Sequence, residues 1–203
     1  MGIYSIKPKF QQCLKPIERI LVKNKVHPTT INIAALLISI SGGLAFFFSN
    51  QNPALLLYIP VMAFIRTALN ALDGMVARSL KVKNQQWGEV LNEFCDRLSD
   101  VAIFLGLAWA SASYVNHILG YTIIIVILLN SYLSILSKAA GGSRQYGGFM
   151  GKADRMFYVG LMALLIFIFK EWGLVNITLW FIGLGTMLTL GQRYSATRKE
   201  LYK

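Results

Sequence analysis

Apolar runs about 20 residues long recur along this chain, separated by short polar breaks. That is the length an α-helix needs to cross a bilayer. In hydrocarbon every backbone N–H and C=O must be bonded within the protein, so only helices or closed barrels can span. Here the runs are continuous rather than alternating, which selects helices. Only 14% of the residues are charged, against about a quarter in a soluble domain. The expectation is an all-α integral membrane protein forming one domain over 1–203, with six transmembrane helices preceded by an N-terminal interfacial amphipathic helix. The interfacial segment is 1–28, the bundle 29–191 and a basic cytoplasmic tail 192–203. Spans are expected at 29–48, 54–78, 89–113, 116–138, 153–170 and 174–191. Residues 1–28 have no continuous apolar core and no small-residue cleavage site, so a signal peptide is not expected. Cys13 and Cys95 form no disulfide framework and are read as reduced and structural.

The net charge of +11 needs no nucleic acid to explain it, because the positive residues sort by loop. With six spans, Lys170 is the sole exception among 20 basic residues; the others fall on one side. The positive-inside rule makes that side cytoplasmic, with both termini on it. Before the first span, Phe10, Cys13, Leu14, Ile17 and Leu21 follow Ile6 at helical spacing with lysines between them. This is the pattern of a helix lying in the headgroup layer. Pro16 is expected to kink or divide it. Thr29 or Thr30 is the expected cap of the first span.

Most of the nine acidic residues lie in LNALDGMVARSLKVKNQQWGEVLNEFCDRLSD, residues 69–100. At 100° per residue, Arg66, Asn70, Asp73 and Ala77 fall within about 60° on one helix. Glu89, Glu93, Asp96 and Asp100 do the same on the next, with Asn92 at the edge. Polar groups in spans normally face the protein interior or a water-filled cavity. Two facing stripes would make an acidic cleft open to the cytoplasm, with Arg78, Lys81 and Lys83 at its mouth. Oxygen ligands without His or Cys suit hard cations such as Mg²⁺, Mn²⁺ or Ca²⁺. Gly74 and Gly88 would let a ligand approach the backbone, and Arg78 matches a phosphate. The combination points to a diphosphate-containing substrate.

The window resembles the signature of the CDP-alcohol phosphatidyltransferases, which runs Asp, two residues, Asp-Gly, two residues, Ala-Arg, about eight residues, Gly, three residues, Asp, three residues, Asp. Here it is Asn70, Asp73-Gly74, Ala77-Arg78, nine residues, Gly88, Asn92, Asp96. The resemblance extends to the interfacial helix, the six-span plan, VHPTTIN before span one and MGKADR before span five. It implies that CDP-diacylglycerol donates its phosphatidyl group to a small alcohol acceptor and releases CMP. It further implies Mg²⁺ or Mn²⁺, one or two ions, a homodimer surrounded by membrane lipids and, as the expected location, a bacterial cytoplasmic membrane. The implied metal ligands are Asp73, Asp96, Asn70, Asn92 and Glu93. Asn70, Asp73, Gly74, Ala77, Arg78 and Gly88 would bind CDP, and Asp96 would be the catalytic base. The chain departs from the family in carrying Asn70 and Asn92 at the first and third acidic positions. Three readings follow: an enzyme compensated by Glu89, Glu93 or Asp100, a one-metal enzyme, or an inactive relative.

Arg66 lies about 10 Å deeper than Asp73 and Asp100 about 6 Å deeper than Asp96 along antiparallel helices, so a buried ion pair between Arg66 and Asp100 is expected. In the Gly-rich basic loop GGSRQYGGFMGKADR, Arg144, Lys152 and Arg155 are candidates for an acceptor or lipid phosphate, against plain positive-inside residues. Asp154 is read as a local partner of Arg155 or a helix N-terminal charge. The alternatives to an enzyme are a silent CDP-lipid-binding protein and an ion or solute transporter. A transport pathway should line several spans with polar groups, whereas spans one, five and six offer little beyond Asn32, Ser and Thr.

Overall fold

The computed structural model describes residues 7–81, 85–110 and 115–202. Within them the chain is helical, with no strand: α1 (Lys7–Lys23), α2 (Pro28–Phe48), α3 (Leu55–Ser79), α4 (Gln85–Ala108), α5 (His117–Ala139), α6 (Lys152–Phe169) and α7 (Leu174–Leu201). Four of these, α2, α3, α5 and α7, are long and apolar enough to cross a membrane. The multi-pass membrane architecture rests on them. α4 spreads Glu89, Glu93, Asp96, Arg97 and Asp100 along its length, and α6 opens on Lys152, Asp154 and Arg155. Their charges, rather than their lengths, separate these two from the other four. Ile6 and Lys83, and the end of the third expected span, fall outside the described residues.

Local chemistry explains the helix starts. α2 is capped by His27, two or three residues before the expected threonines. Pro28 supplies a pre-set φ and no N–H to satisfy at the first position, and His27 Nδ1 accepts from Thr29 N at 3.3 Å. α6 starts at Gly151, whose N–H donates to Asp154 Oδ2 at 2.8 Å. Of the two readings of Asp154, the helix N-terminal one is therefore the one seen. α1 runs unbroken through Pro16. Its Leu14, Phe10 and Leu21 pack on Ala68, Leu72, Met75 and Val76 of α3, while Cys13 is exposed and Ile17 and Ile20 are 46% and 59% exposed.

The main core runs through α2 to α7, with Phe46, Leu56, Ile59, Met62, Ile103, Phe104 and Leu107 fully buried where α2, α3 and α4 meet and Ile127, Val159 and Leu179 continuing it into α5, α6 and α7. With no water on the outside, helices in lipid associate through close packing, and small residues permit it. Gly43 and Gly106 do so here: an added Cβ at Gly43 would fall on the carbonyl oxygen of Ala102, and one at Gly106 on that of Gly43. Buried hydroxyls return to their own helices, Ser39 Oγ to Ala35 O at 2.6 Å and Thr186 Oγ1 to Ile182 O at 2.7 Å. Leu37, Phe64, Leu129, Trp180 and Leu188 are exposed, as lipid-facing side chains are.

Candidate active site

The polar ends of α3, α4, α5, α6 and α7 surround one cavity of about 740 Å³. Asn70, Asp73 and Gly74 of α3 line it opposite Asn92, Glu93, Asp96 and Arg97 of α4. The two stripes do meet: Asn92 Nδ2 donates to Asp73 Oδ2, and Asp73 and Asp96 stand within reach of each other's charge. Asn130, Ser131 and Ser134 of α5, Lys152 and Arg155 of α6 and Arg193 of α7 close the other sides, with Arg144 from the α5–α6 loop. Farther along, the cavity turns apolar between Pro60, Ala63 and Phe64 of α3 and Phe157, Leu161 and Leu164 of α6.

The acidic stripe of α4 faces α3 and also a row of cations. Glu89 meets Lys138 at 2.6 Å, Glu93 meets Arg144, Asp96 meets Lys152, and Asp100 meets Arg155 at 3.3 Å. Burial rises along the helix from a half-exposed pair at Glu89, through partly buried pairs at Glu93 and Asp96, to a buried one at Asp100. Arg97 lies 3.7 to 3.9 Å from Glu93, Asp96 and Asp100 together. Arg66 Nη2 donates to Asp100 Oδ1 at 2.7 Å with both side chains buried. Arg155 takes the other oxygen of Asp100, so the expected pair is a triad of two guanidiniums and one carboxylate. Nε and Nη1 of Arg66 and Nε of Arg155 find no hydrogen-bond partner among the described residues.

The cavity gathers Asn70, Asp73, Gly74, Asn92, Glu93, Asp96, Arg144, Lys152 and Arg155, and its lining leaves out Ala77, Arg78 and Gly88. Arg78 is exposed and borders a smaller cavity, about 310 Å³, between α1 and the end of α3. Packing does not require glycine at the two motif positions. A Cβ at Gly88 would meet nothing within 4 Å, and one at Gly74 only the Arg78 guanidinium at 3.4 Å.

Sequence reasoning passed over Arg97, Arg193 and Asn130. Arg97 sits four residues from Glu93, and Arg193 is the first cation after the last span. Asn130 is a lone amide in the run HILGYTIIIVILLNSYLSIL, a signal that a polar residue in a span faces something polar. Arg193 also organises the α5–α6 loop: its Nε donates to Gly147 O at 2.9 Å and its Nη1 to Asn130 O at 3.2 Å. The loop passes tightly over α7 at Gly148, whose φ of +136° and contact with the Thr189 side chain suit only glycine.

The donor set fits a hard divalent cation. Asp73 and Asp96 offer two carboxylates, with amide oxygens available from Asn70 and Asn92 if the Asn92 amide turns its oxygen inward. No three His, Cys, Asp or Glu side chains converge among the described residues. Magnesium accepts that arrangement, since it commonly takes one or two carboxylates and completes its shell with water and substrate phosphate.

Similarity to known proteins agrees with this geometry. The family model described as CDP-alcohol phosphatidyltransferase matches residues 25–191. The chain is 39% identical to inner membrane protein YnbA of Escherichia coli over 184 residues, 90% of this chain and 89% of that protein. It is 28% identical to the archaetidylinositol phosphate synthase of Pyrococcus horikoshii, covering 97% of this chain and 96% of that one. The crystal structure of Mycobacterium tuberculosis phosphatidylinositol phosphate synthase in complex with manganese and citrate superposes with a TM-score of 0.75 at 26% identity, over 91% of this chain and 88% of that one. The same enzyme with CDP-DAG bound gives 0.72 at 25% identity, over 91% and 93%. From the motif across α3 and α4 and these similarities, the chain belongs to the CDP-alcohol phosphatidyltransferase family.

Proposed function

We propose that the cavity transfers a phosphatidyl group from CDP-diacylglycerol to an alcohol that itself carries a phosphate. The observation that supports this is a cavity lined both by Asp73 of α3 and Asp96 of α4 and by Arg144, Lys152, Arg155 and Arg193. Asp73 and Asp96, with Asn70, Asn92 and Glu93 beside them, would hold Mg²⁺ or Mn²⁺, which when bound would supply positive charge to the phosphoryl oxygens and to the departing CMP. Gly74, Ala77, Arg78 and Gly88 receive the CDP moiety. Asp96 takes the proton of the acceptor hydroxyl as that oxygen bonds to the β-phosphorus. The bond from that phosphorus to the bridging oxygen breaks, and CMP leaves with its electrons. The arginines hold the acceptor's phosphate through paired N–H donors.

The acceptor reading is tested by reconstituting the protein with CDP-diacylglycerol and Mn²⁺ and offering inositol phosphate, glycerol phosphate, inositol, glycerol and serine separately. Lipid product is expected from a phosphorylated alcohol alone. Arg144→Ala should raise the acceptor KM about ten-fold, the equivalent of one charge-assisted hydrogen bond. Equal turnover of serine or free inositol would exclude a phosphate-reading site.

The same proposal takes α4 and α6 as spans alongside the four apolar helices. α1 then lies in the headgroup layer, with Ile17 and Ile20 in lipid. The whole chain is one domain in a cytoplasmic membrane, with both termini and the cavity facing the cytoplasm and a second copy as partner. In a Cys13→Ser background, an impermeant maleimide applied outside intact cells should label Glu171→Cys and spare Lys199→Cys. The opposite pattern contradicts the orientation.

A further inference from the structure

The tail beyond the last apolar stretch was expected to be a basic appendage, yet α7 continues through it to Leu201. Its last turn carries Glu200 against the α5–α6 loop. Glu200 Oε1 accepts from Ser143 N at 2.7 Å, and Oε2 accepts from Ser143 Oγ at 2.9 Å and from Gln145 Nε2 at 2.7 Å. One carboxylate thus holds the residues on both sides of Arg144. From the other direction Ser137 Oγ donates to Ser143 O at 2.9 Å and Ser134 Oγ to Gln145 O at 2.5 Å. The outcome is that Arg144 reaches across the cavity to Glu93, on the same stripe as the deeper carboxylates of α4. Arg144 Nε is buried without a hydrogen-bond partner among the described residues, while the residue itself lines the cavity.

We infer that Glu200 is a positioning residue: the end of α7 clamps the α5–α6 loop through Ser143 and Gln145 and so places Arg144 at the acceptor side of the cavity. This rests on the reading of Arg144 as an acceptor-phosphate ligand. A lone residue in an exposed loop loses several rotamers and backbone states when it is fixed, and Arg144 would otherwise have to lose them each time it met substrate. Glu200 fixes the loop beforehand. The clamp acts on one substrate only, since the Asp73 side of the cavity is built on α3 and α4 without it.

The experiment compares Glu200→Ala, Glu200→Gln and Arg144→Ala, alone and combined, in proteoliposomes with CDP-diacylglycerol and whichever phosphorylated alcohol turns over. Glu200→Ala should raise the acceptor KM about ten-fold, one hydrogen-bond equivalent, with the donor KM and kcat within about two-fold of the parent. Glu200→Gln, whose amide oxygen still accepts from Ser143 N, should recover most of the loss. In an Arg144→Ala background Glu200→Ala should add nothing. If Arg144→Ala raises the acceptor KM and Glu200→Ala does not, the clamp is wrong while the acceptor reading stands. If Arg144→Ala has no effect, the acceptor reading itself fails. A second arm needs no acceptor: trypsin should cut after Arg144 at least about ten-fold faster in Glu200→Ala than in the parent, and equal rates overturn the clamp.

Discussion

Asp96→Asn will lower CMP release from CDP-diacylglycerol by about 10²- to 10⁴-fold, the range expected on losing a positioned general base. The substitution keeps the size and shape of the side chain. The amide oxygen that takes the place of Asp96 Oδ1 can still accept from the Lys152 ammonium, so the packing between α4 and α6 should survive. What is lost is the negative charge and the capacity to take a proton. Asp96 carries that charge between Lys152 and Arg97 on the cavity wall. Its side chain is 15% exposed and that of Lys152 25%, so the ammonium keeps a hydrogen-bond acceptor and some contact with water when the charge is removed. The thermal midpoint in detergent should stay close to the parent's while turnover collapses. A variant that retains more than about a third of the parent's kcat would remove Asp96 from the reaction.

Asp100→Ala is expected to be far more damaging to the fold than Arg66→Met, although the two side chains are direct partners. Asp100 neutralises both Arg66 and Arg155 from a fully buried position. Without it, two guanidiniums remain buried with no carboxylate between them. Stranding a buried charge costs about 3–5 kcal/mol. Arg66→Met leaves Asp100 paired with Arg155 and still within 3.9 Å of Arg97, so its cost should be nearer about 1–2 kcal/mol, that of an altered core side chain. The triad also changes what a double substitution does. A simple pair would be rescued by removing both members, but Arg66→Met with Asp100→Leu still strands Arg155. Relief requires replacing all three. Expression level and the detergent melting midpoint should therefore rank Arg66→Met first, the double variant between, and Asp100→Ala last. Equal midpoints for the two single variants would contradict the triad.

Helical wheels placed Asn70, Asp73, Asn92 and Asp96 on facing stripes because a 100° step per residue is a property of the helix alone. Apolar length located α2, α3, α5 and α7 for the same reason: it depends on the local chain. The depth calculation for Arg66 and Asp100 succeeded because two antiparallel helices joined by a short turn have only one register. What was not legible required a third element. Arg155 joins that triad from α6, and its distance from α3 and α4 in sequence hides the contact. Arg193 and Glu200 belong to a segment whose composition reads as a soluble tail, and their role depends on the α5–α6 loop folding back over α7. Arg78 shows the opposite case. It carries the motif's cation, yet in the last turn of α3 it borders the small cavity beside α1, with its Nη1 3.4 Å from the Cβ position of Gly74. The charge pattern also concealed that the basic loop and the acidic stripe pair with each other, since the linear motif considers the stripe by itself.

The measurement that bears most directly on the account is metal-dependent CMP release by the unmodified chain. Purified protein in lipid vesicles receives CDP-diacylglycerol and a phosphorylated alcohol, first with Mn²⁺, then with EDTA, then with Mn²⁺ restored. CMP is expected to appear with Mn²⁺, stop with EDTA and resume on restoration, with a new phosphate-bearing lipid formed in equal amount. CMP release unchanged by EDTA, or none with any metal while CDP-diacylglycerol still binds, would contradict a metal-assisted transferase built on Asp73 and Asp96.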